Sequence, residues 1–437
     1  MSSVKEPVIH RFGNGLTVLI KEDKSHPVVS LQYWVGTGSM NEGHLQGSGI
    51  SHLLEHLVFK GTESYSGQDL ARKVQERGGH WNAYTSVNRT VFYIDGPAES
   101  WQIFLNLLTE LVFSPTFPEG ELEREKEVVR REMAMYADEP DSVAYQLLMQ
   151  TLYLKHPRRW PVLGEPEVFD TLTREDVLEY HASRYVPNNV VLSIAGDVDA
   201  REVLSHLELL VEDLKAKPLN REPLPHEPHQ FGSRTVRKEF AVPYSKLSLA
   251  WRLPCSAHPD TPALSALASI LGGGRSARFY EKFHDRLGLV YSIEVHSNQS
   301  ESDEGAFTIT MDVDRAQRDR VRDLVLQELR DLEREDFTED LKRVCKQTRV
   351  SRLSRKSSAS GMASEMGADW FGARNLNLSS EWQEAIERVT SEDLHRVCAG
   401  WLSSPNVTEV SLDPLGSNAE EVPAGSEKTD TVLSELV

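Results

Sequence analysis

The sequence has few cysteines and no long apolar run. Its three cysteines, Cys255, Cys345 and Cys398, are far apart and odd in number, which excludes a disulfide framework and a CxxC metal site. No run of roughly 18 apolar residues occurs, and the opening segment MSSVKEPVIH lacks the apolar stretch of a signal peptide. We therefore expect a cytoplasmic protein that neither spans nor binds a membrane.

Basic residues are scarce relative to acidic ones: 48 Lys and Arg against 67 Asp and Glu give a formal charge of -19. A chain of this sign is poorly suited to binding nucleic-acid phosphates, so we expect no nucleic-acid partner, and a basic partner or basic peptide substrate fits better. The 437 residues, of which 39% are hydrophobic and 26% charged, predict a globular protein with two or more domains.

A proline-rich segment divides the chain. Four prolines fall within residues 218–228, which is typical of a linker. We predict a first domain at 1–214, a linker at 215–234, a second domain at 235–412, and a flexible tail or linker at 413–437 that is rich in Ser, Glu and Gly. The last residues, TVLSELV, turn apolar again, which leaves open whether the chain is the front half of a longer polypeptide.

Strand and helix signals alternate in both halves. In the first half, Asn14-Gly15 predicts a hairpin turn, VVSLQYWV (28–35) a strand, and residues 81–93 a further strand. In the second half, a strand at 246–251 is followed by a helix at 261–271, which repeats the order of VVSLQYWV and the helix after it. The pattern predicts an α+β fold built from two similar units, each with a mixed sheet and helices.

The run SHLLEHL (51–57) carries polar groups inside an apolar helix signal. Positions i and i+4 of a helix share a face, so His52 and His56 can direct two imidazoles at one point, as two zinc ligands require. Glu55 lies nearly on that face and can reach a water there, and the order HxxEH is that of the inverted zincins. The alternative is that these polar residues are exposed or hydrogen-bonded on a half-buried helix.

A catalytic zinc site needs a third protein ligand from elsewhere in the fold. The predicted helix Glu119–Tyr136 contains six glutamates. Glu125 and Glu132 are two turns apart and share a face flanked by Val128 and Val129, so Glu132 is the candidate. We interpret Glu121, Glu123 and Glu127 of this helix as a solvated charged face.

Together these residues resemble the pitrilysin-like inverzincin family of zinc metallopeptidases, which includes insulin-degrading enzyme and mitochondrial processing peptidase. The resemblance is carried by HLLEH with a glutamate 76 residues further on, and it extends to about Val410. It is closest in style to bacterial members that are like the mitochondrial enzyme. Further matching segments are VGTGSMNE, FKGTESYSG, GGHWNAYTS, EREKEVVRREM, HPRRWPVLGEPE, RYVPNNVVLSIAGDVD and GGGRSARFYEKFHDRLGLVYS.

The resemblance implies two homologous domains that face a chamber, and a zinc-dependent endopeptidase that acts on peptides or extended polypeptide segments. It implies Zn²⁺ as the cofactor, Glu55 as the general base on a zinc-bound water, and Glu125 as a carboxylate that orients a ligand. The implied metal ligands are His52, His56 and Glu132. The implied substrate-binding edge strand is Asn82-Ala83-Tyr84-Thr85, in which Asn82, Ala83 and Tyr84 are the implied substrate-binding residues.

The second half departs from the family pattern. Active members use an arginine and a tyrosine seven residues apart to hold the substrate carbonyl; here the tyrosine matches Tyr291, but His284 stands where arginine is expected. Either a homologous partner chain or a fused second half supplies the intact pair, which we favour, or His284 substitutes in an active homodimer. The alternative function is a non-catalytic or partner-dependent peptide-binding subunit of a heterodimeric peptidase complex.

Overall fold

Two β-sheets organise the protein. The computed structural model describes residues 6–219, 223–299, 304–402 and 405–416. The first sheet has the strand order β1-β2-β6-β3-β5-β4 and the second has the order β7-β11-β8-β10-β9. The strands are β1 Val8–Arg11, β2 Thr17–Glu22, β3 Val28–Val35, β4 His80–Thr85, β5 Thr90–Pro97, β6 Val190–Gly196, β7 Arg234–Phe240, β8 Ser245–Leu253, β9 Val290–Asn298, β10 Gly305–Val313 and β11 Thr408–Pro414.

Helices cover both sheets. Those of the first half are α1 Ile50–Val58, α2 Gly67–Gln75, α3 Trp101–Phe113, α4 Glu121–Asp138, α5 Pro140–Leu152, α6 Pro166–Phe169, α7 Arg174–Arg184 and α8 Ala200–Val211. Those of the second half are α9 Thr261–Gly272, α10 Arg318–Asp331, α11 Thr338–Arg355, α12 Ala359–Ala373, α13 Leu378–Glu387 and α14 Ser391–Val397.

The two sheets repeat one topology. Strands β2-β6-β3-β5-β4 of the first sheet correspond in order to β7-β11-β8-β10-β9 of the second. In each set the first pair is parallel and the other pairs are antiparallel. Helix α1 follows β3 as α9 follows β8. The predicted α+β fold with two similar units is therefore confirmed.

The halves exchange a helix each. Helix α12 from the second half packs on the outer face of the first sheet, where Ala363 and Met366 contact Leu19, Trp34 and other buried residues. Helix α5 from the first half packs on the second sheet, where its buried apolar residues meet Ala250, Ala306 and Val410. Strand β3 is buried along almost its whole length because helices cover both of its faces.

Two sequence expectations need correction. The single strand predicted over 81–93 is a hairpin of β4 and β5, because the polar segment Ser86–Arg89 makes the turn between them. Asp413 and Pro414, assigned to the tail, belong to β11, where Asp413 is buried among polar partners. The rest of the predicted flexible tail, 417–437, lies outside the described residues.

The other domain boundaries stay predictions. The expected linker runs between α8 and β7, and Glu227 anchors it to the first half by accepting backbone N–H groups of Leu154, Lys155 and His156 at 2.7–2.9 Å. Within the described residues, no helix combines the length and the apolar character that a membrane crossing needs.

Candidate active site

Helix α1 presents His52, Glu55 and His56 on one half-buried face. Its opposite face is fully buried through Leu53, Leu54 and Leu57 and fixes the rotation of the helix. The two imidazole rings are 4.7 Å apart between centroids. The residue just before the helix is Gly49, whose φ of 70° and close approach to the carbonyl of Leu163 leave no room for a Cβ.

Helix α4 brings Glu132 against this face. Glu132 Oε2 lies 3.9 Å from His52 Nε2 and 3.8 Å from His56 Nε2. Each of the three side chains offers a ligand atom within 4.8 Å of the others. Metal bonds of about 2.0–2.1 Å in a tetrahedron separate neighbouring ligand atoms by about 3.3 Å, so a small closure of this group would fit Zn²⁺.

The chemistry of the group also fits a metal. Burial, with a smaller contribution from His56, lowers the pKa of His52 to about 3, so its imidazole is neutral, as a metal ligand must be. The buried Nδ1 of His52 makes no hydrogen bond to any part of the chain that the structure describes. The distances between Glu132 and the imidazoles are longer than hydrogen bonds, so protein contacts leave the facing atoms available.

Glu125 contacts His56 on the ring nitrogen that does not face Glu132. Its Oε2 is 3.2 Å from His56 Nδ1 and its Oε1 is 2.6 Å from Lys60 Nζ. Burial raises the pKa of Glu125, but hydrogen bonds from His56 and Lys60 outweigh it and leave that pKa below its ordinary value. An ionised Glu125 favours a proton on Nδ1 of His56 and leaves its Nε2 facing Glu132.

Glu55 has a different environment. Thr85 Oγ1 donates a 2.6 Å hydrogen bond to Glu55 Oε2. Burial raises the pKa of Glu55, although the bond from Thr85 and the charge of His56 oppose the rise. The carboxylate is thus a stronger proton acceptor than an exposed glutamate.

Strand β4 is the open edge of the first sheet as far as the chain is described, and it ends at this site. It pairs with β5 on one side and is the terminal strand of the order. Asn82 and Tyr84 are exposed and alternate with half-buried Trp81 and Ala83. The N–H of Ala83 is held by the side-chain oxygen of Asn82 at 2.9 Å.

A cavity of about 640 Å³ opens beside His52 and Glu132. Its walls come from the end of α4, from α5 and from the segment 158–166, and Lys238 of β7 contributes from the second half. Apolar and aromatic side chains predominate, including Met133, Tyr136, Val143, Tyr145, Leu147, Trp160 and Val162.

The structure does not bring His284 or Tyr291 to this group. His284 lies in the π-helical segment Tyr280–Arg286, stacked on Tyr280 at 4.3 Å and bonded to Asp285 at 2.7 Å. Tyr291 is exposed on β9. Among the described residues that line the cavity, neither appears. Their role in substrate binding stays a prediction.

Sequence reasoning missed three supporting side chains. Lys60, which binds Glu125, stands four residues after His56, and that spacing could have indicated it. Thr85 could have been noticed only as the end of the predicted edge strand. Glu42 is 2% exposed and accepts the N–H groups of Gly49 and Ser51 at the start of α1; the sequence holds no local signal for that contact.

Comparison with known proteins identifies a family for the chain. Residues 17–165 match the family described as Insulinase (Peptidase family M16), and residues 171–347 match the Peptidase M16 inactive domain. An "uncharacterized zinc protease" of Rickettsia felis is 27% identical over 88% of this chain and 92% of its own. The zinc protease PqqE of Helicobacter pylori is 26% identical over 92% and 91%.

Two solved protein structures have the same fold as this chain. A protease from Helicobacter pylori superposes with a TM-score of 0.86 at 26% identity, covering 94% of this chain and all of the other. A structure from Pseudomonas fluorescens, described as a peptidase M16 inactive domain, has the same fold, with a TM-score of 0.85 at 20% identity. The likeness to bacterial enzymes of the mitochondrial-processing-peptidase style stays a prediction. The chain belongs to the peptidase M16 family, the pitrilysin-like family expected from HxxEH.

Proposed function

We propose that the chain is a zinc-dependent endopeptidase that hydrolyses peptides or extended polypeptide segments. The observation that carries the proposal is the approach of Glu132 to the facing nitrogens of His52 and His56, with Glu55 on the same helix face. The relatives' names as zinc proteases support Zn²⁺ as the metal. In this proposal His52, His56 and Glu132 hold the zinc, and Glu125 orients His56.

In the proposed hydrolysis, zinc would activate the substrate and the water, and Glu55 transfers the proton. Bound zinc would polarise the scissile carbonyl and lower the pKa of water. Glu55 takes a proton from the attacking water, whose oxygen bonds to the carbonyl carbon. As the C–N bond breaks, Glu55 returns that proton to the departing nitrogen, so the amine leaves neutral.

The substrate is an extended peptide. An open edge strand can pair with the backbone of an added strand, and the edge of β4 leads directly to Glu55. Because pairing uses main-chain atoms, we expect tolerance for sequence and a preference for unfolded segments.

A partner is a second part of the proposal. Histidine stands at 284 where arginine is expected, and neither His284 nor Tyr291 is among the described residues that line the cavity; both facts support a homologous subunit, or a fused second half, that supplies the arginine and tyrosine. The competing function is a peptide-binding subunit without activity of its own. The cytoplasmic location likewise stays a prediction.

The test combines metal content with cleavage. The purified chain should hold about one zinc per chain and cleave an internally quenched peptide, and EDTA should stop cleavage until zinc is returned. Zinc-loaded chain that cleaves only after a homologous subunit is added would support partner dependence. A chain that binds no zinc would contradict the proposal.

A further inference from the structure

The open edge of β4 ends at the proposed base. Thr85 is the last residue of β4, and its hydroxyl donates a hydrogen bond to Glu55. The hydroxyl bond is short, at 2.6 Å between Thr85 Oγ1 and Glu55 Oε2. No other side-chain hydrogen bond to Glu55 is recorded within the described part of the chain. Thr85 is therefore the group that sets the direction of this carboxylate.

The hydrogen bonds along the edge show where a docked peptide would stop pairing. Neighbouring N–H groups of a strand point to opposite edges, so the N–H groups of Ala83 and Thr85, two residues apart, point the same way. The acceptor at Ala83 is the flexible side chain of Asn82, which a peptide carbonyl can replace. At the end of the strand, the hydroxyl of Thr85 is bonded to Glu55. Pairing along β4 consequently runs up to the base.

We propose that Thr85 is a positioning residue that fixes Glu55 at the end of the open β4 edge, so that the base meets the backbone of a peptide docked there. This inference rests on the proposed endopeptidase function. It links substrate docking and proton transfer through one side chain: the strand that receives the peptide also holds the base.

The first measurement separates kcat from KM. Thr85→Val keeps the shape and β-branching of the side chain but removes the hydroxyl, and a hydrogen bond to a charged group is worth enough that we expect kcat to fall about ten- to a hundredfold. KM should change less than about twofold, because Ala83 and the rest of the edge are intact. Thr85→Ser, which restores the hydroxyl, should recover most of kcat.

Thr90→Val is the matched control. Thr90 lies opposite Thr85 on β5, and its buried hydroxyl donates to the carbonyl of Thr37 at 3.1 Å, away from Glu55. This variant should lower the unfolding midpoint and leave kcat unchanged. Equal kcat for Thr85→Val and wild type, or equal losses in the Val and Ser variants, would overturn the positioning role.

A second measurement does not depend on activity. Thr85→Val and Glu55→Ala, alone and together, should shift the unfolding midpoint less than additively, because the first removes the donor and the second removes the acceptor of the same contact. Additive shifts would overturn the inference even if the enzyme is active. A wild-type chain that binds no zinc would instead overturn the proposed function, while the midpoint cycle would still decide the Thr85–Glu55 contact.

Discussion

At the scale of single residues, three carboxylates in one site differ because their surroundings differ. Glu125 is held by His56 and Lys60 and has a lowered pKa. Glu55 is half-buried with Thr85 as its donor and has a raised pKa. Glu132 faces two imidazole nitrogens at 3.8–3.9 Å. The same side chain can thus orient a ligand, accept a proton, or bind a metal, according to its partners.

Glu55→Gln should abolish hydrolysis and retain zinc. The amide has almost the same shape but accepts no proton from water, so we expect kcat to fall by at least about a hundredfold. Cleavage of a quenched peptide and zinc content by mass spectrometry are the measurements. Glu123→Gln, an exposed change on α4, is the control and should keep both. Full activity of Glu55→Gln would rule out this base.

His52→Ala should lose the metal itself. Removing one of three ligands lowers zinc affinity, so the purified variant should hold much less than one zinc per chain and should be inactive. His44→Ala, an exposed histidine outside the metal group, should keep its zinc. Unchanged zinc stoichiometry in His52→Ala would contradict its assignment as a ligand.

At the scale of the element, helix α1 is short, and residues outside the helix hold its N-terminus in place. Gly49 has no side chain with which to cap the helix, so the buried carboxylate of Glu42 accepts the N–H groups of Gly49 and Ser51. The hydroxyl of Ser51 is in turn 2.8 Å from that of Tyr180, which also bonds Thr37. These contacts place the first turn, which carries His52.

Glu42 should make stability depend on pH. Burial raises the pKa of Glu42 from 4.5 to about 8, although the N–H groups of Ser51 and Gly49 oppose the rise. Between these values the unfolded chain has released the proton and the folded chain keeps it. The free energy of unfolding should therefore fall as pH rises from about 4.5 to 8, by at most about 1.4 kcal/mol per unit from this group.

Urea unfolding between pH 5 and pH 9 measures this effect. Glu42→Gln has no proton to lose, so its stability should fall less steeply with pH than that of the wild type. The exposed variant Glu123→Gln should follow the wild-type slope. If Glu42→Gln and wild type lose stability in parallel, Glu42 is not the group responsible.

At the scale of the whole molecule, the two halves depend on one another. Each sheet has its own helix-covered core, yet its second face is closed by a helix from the other half, α12 on the first sheet and α5 on the second. Helix α5 also lines the cavity beside Glu132. The second half, which contributes no residue to the metal group among the described residues, therefore supports the wall of the site.

Gly367→Ala should weaken the packing of α12 on the first sheet and lower the free energy of unfolding. A Cβ on Gly367 would lie 2.3–2.7 Å from atoms of the Trp34 indole, so α12 would have to move away from the first sheet. We expect a loss of about 1–3 kcal/mol in the free energy of unfolding. Gly232→Ala, where a Cβ meets nothing within 4 Å, is the control for thermal and urea unfolding. Equal stability of the two variants would show that α12 does not need this close approach.

The local sequence pattern determined those features of the site that lie within a single helix or strand. The 3.6-residue period of a helix puts His52, Glu55 and His56 on one face wherever α1 forms, and the period of two along a strand exposes Asn82 and Tyr84 together. The repeated order of strand and helix signals likewise predicted two similar units. These features depend on backbone geometry within one element, which the order of residues specifies directly.

Tertiary packing decided everything that joins separate elements. Helix α4 has several glutamates, and only its packing against α1 selects Glu132 to face the imidazoles and Glu125 to face His56. Val128, expected on the buried side, is 43% exposed, whereas Val129 is buried. The Thr85–Glu55 contact and the exchange of α5 and α12 follow from how apolar faces cover one another, and that depends on distant parts of the chain, which no local period encodes.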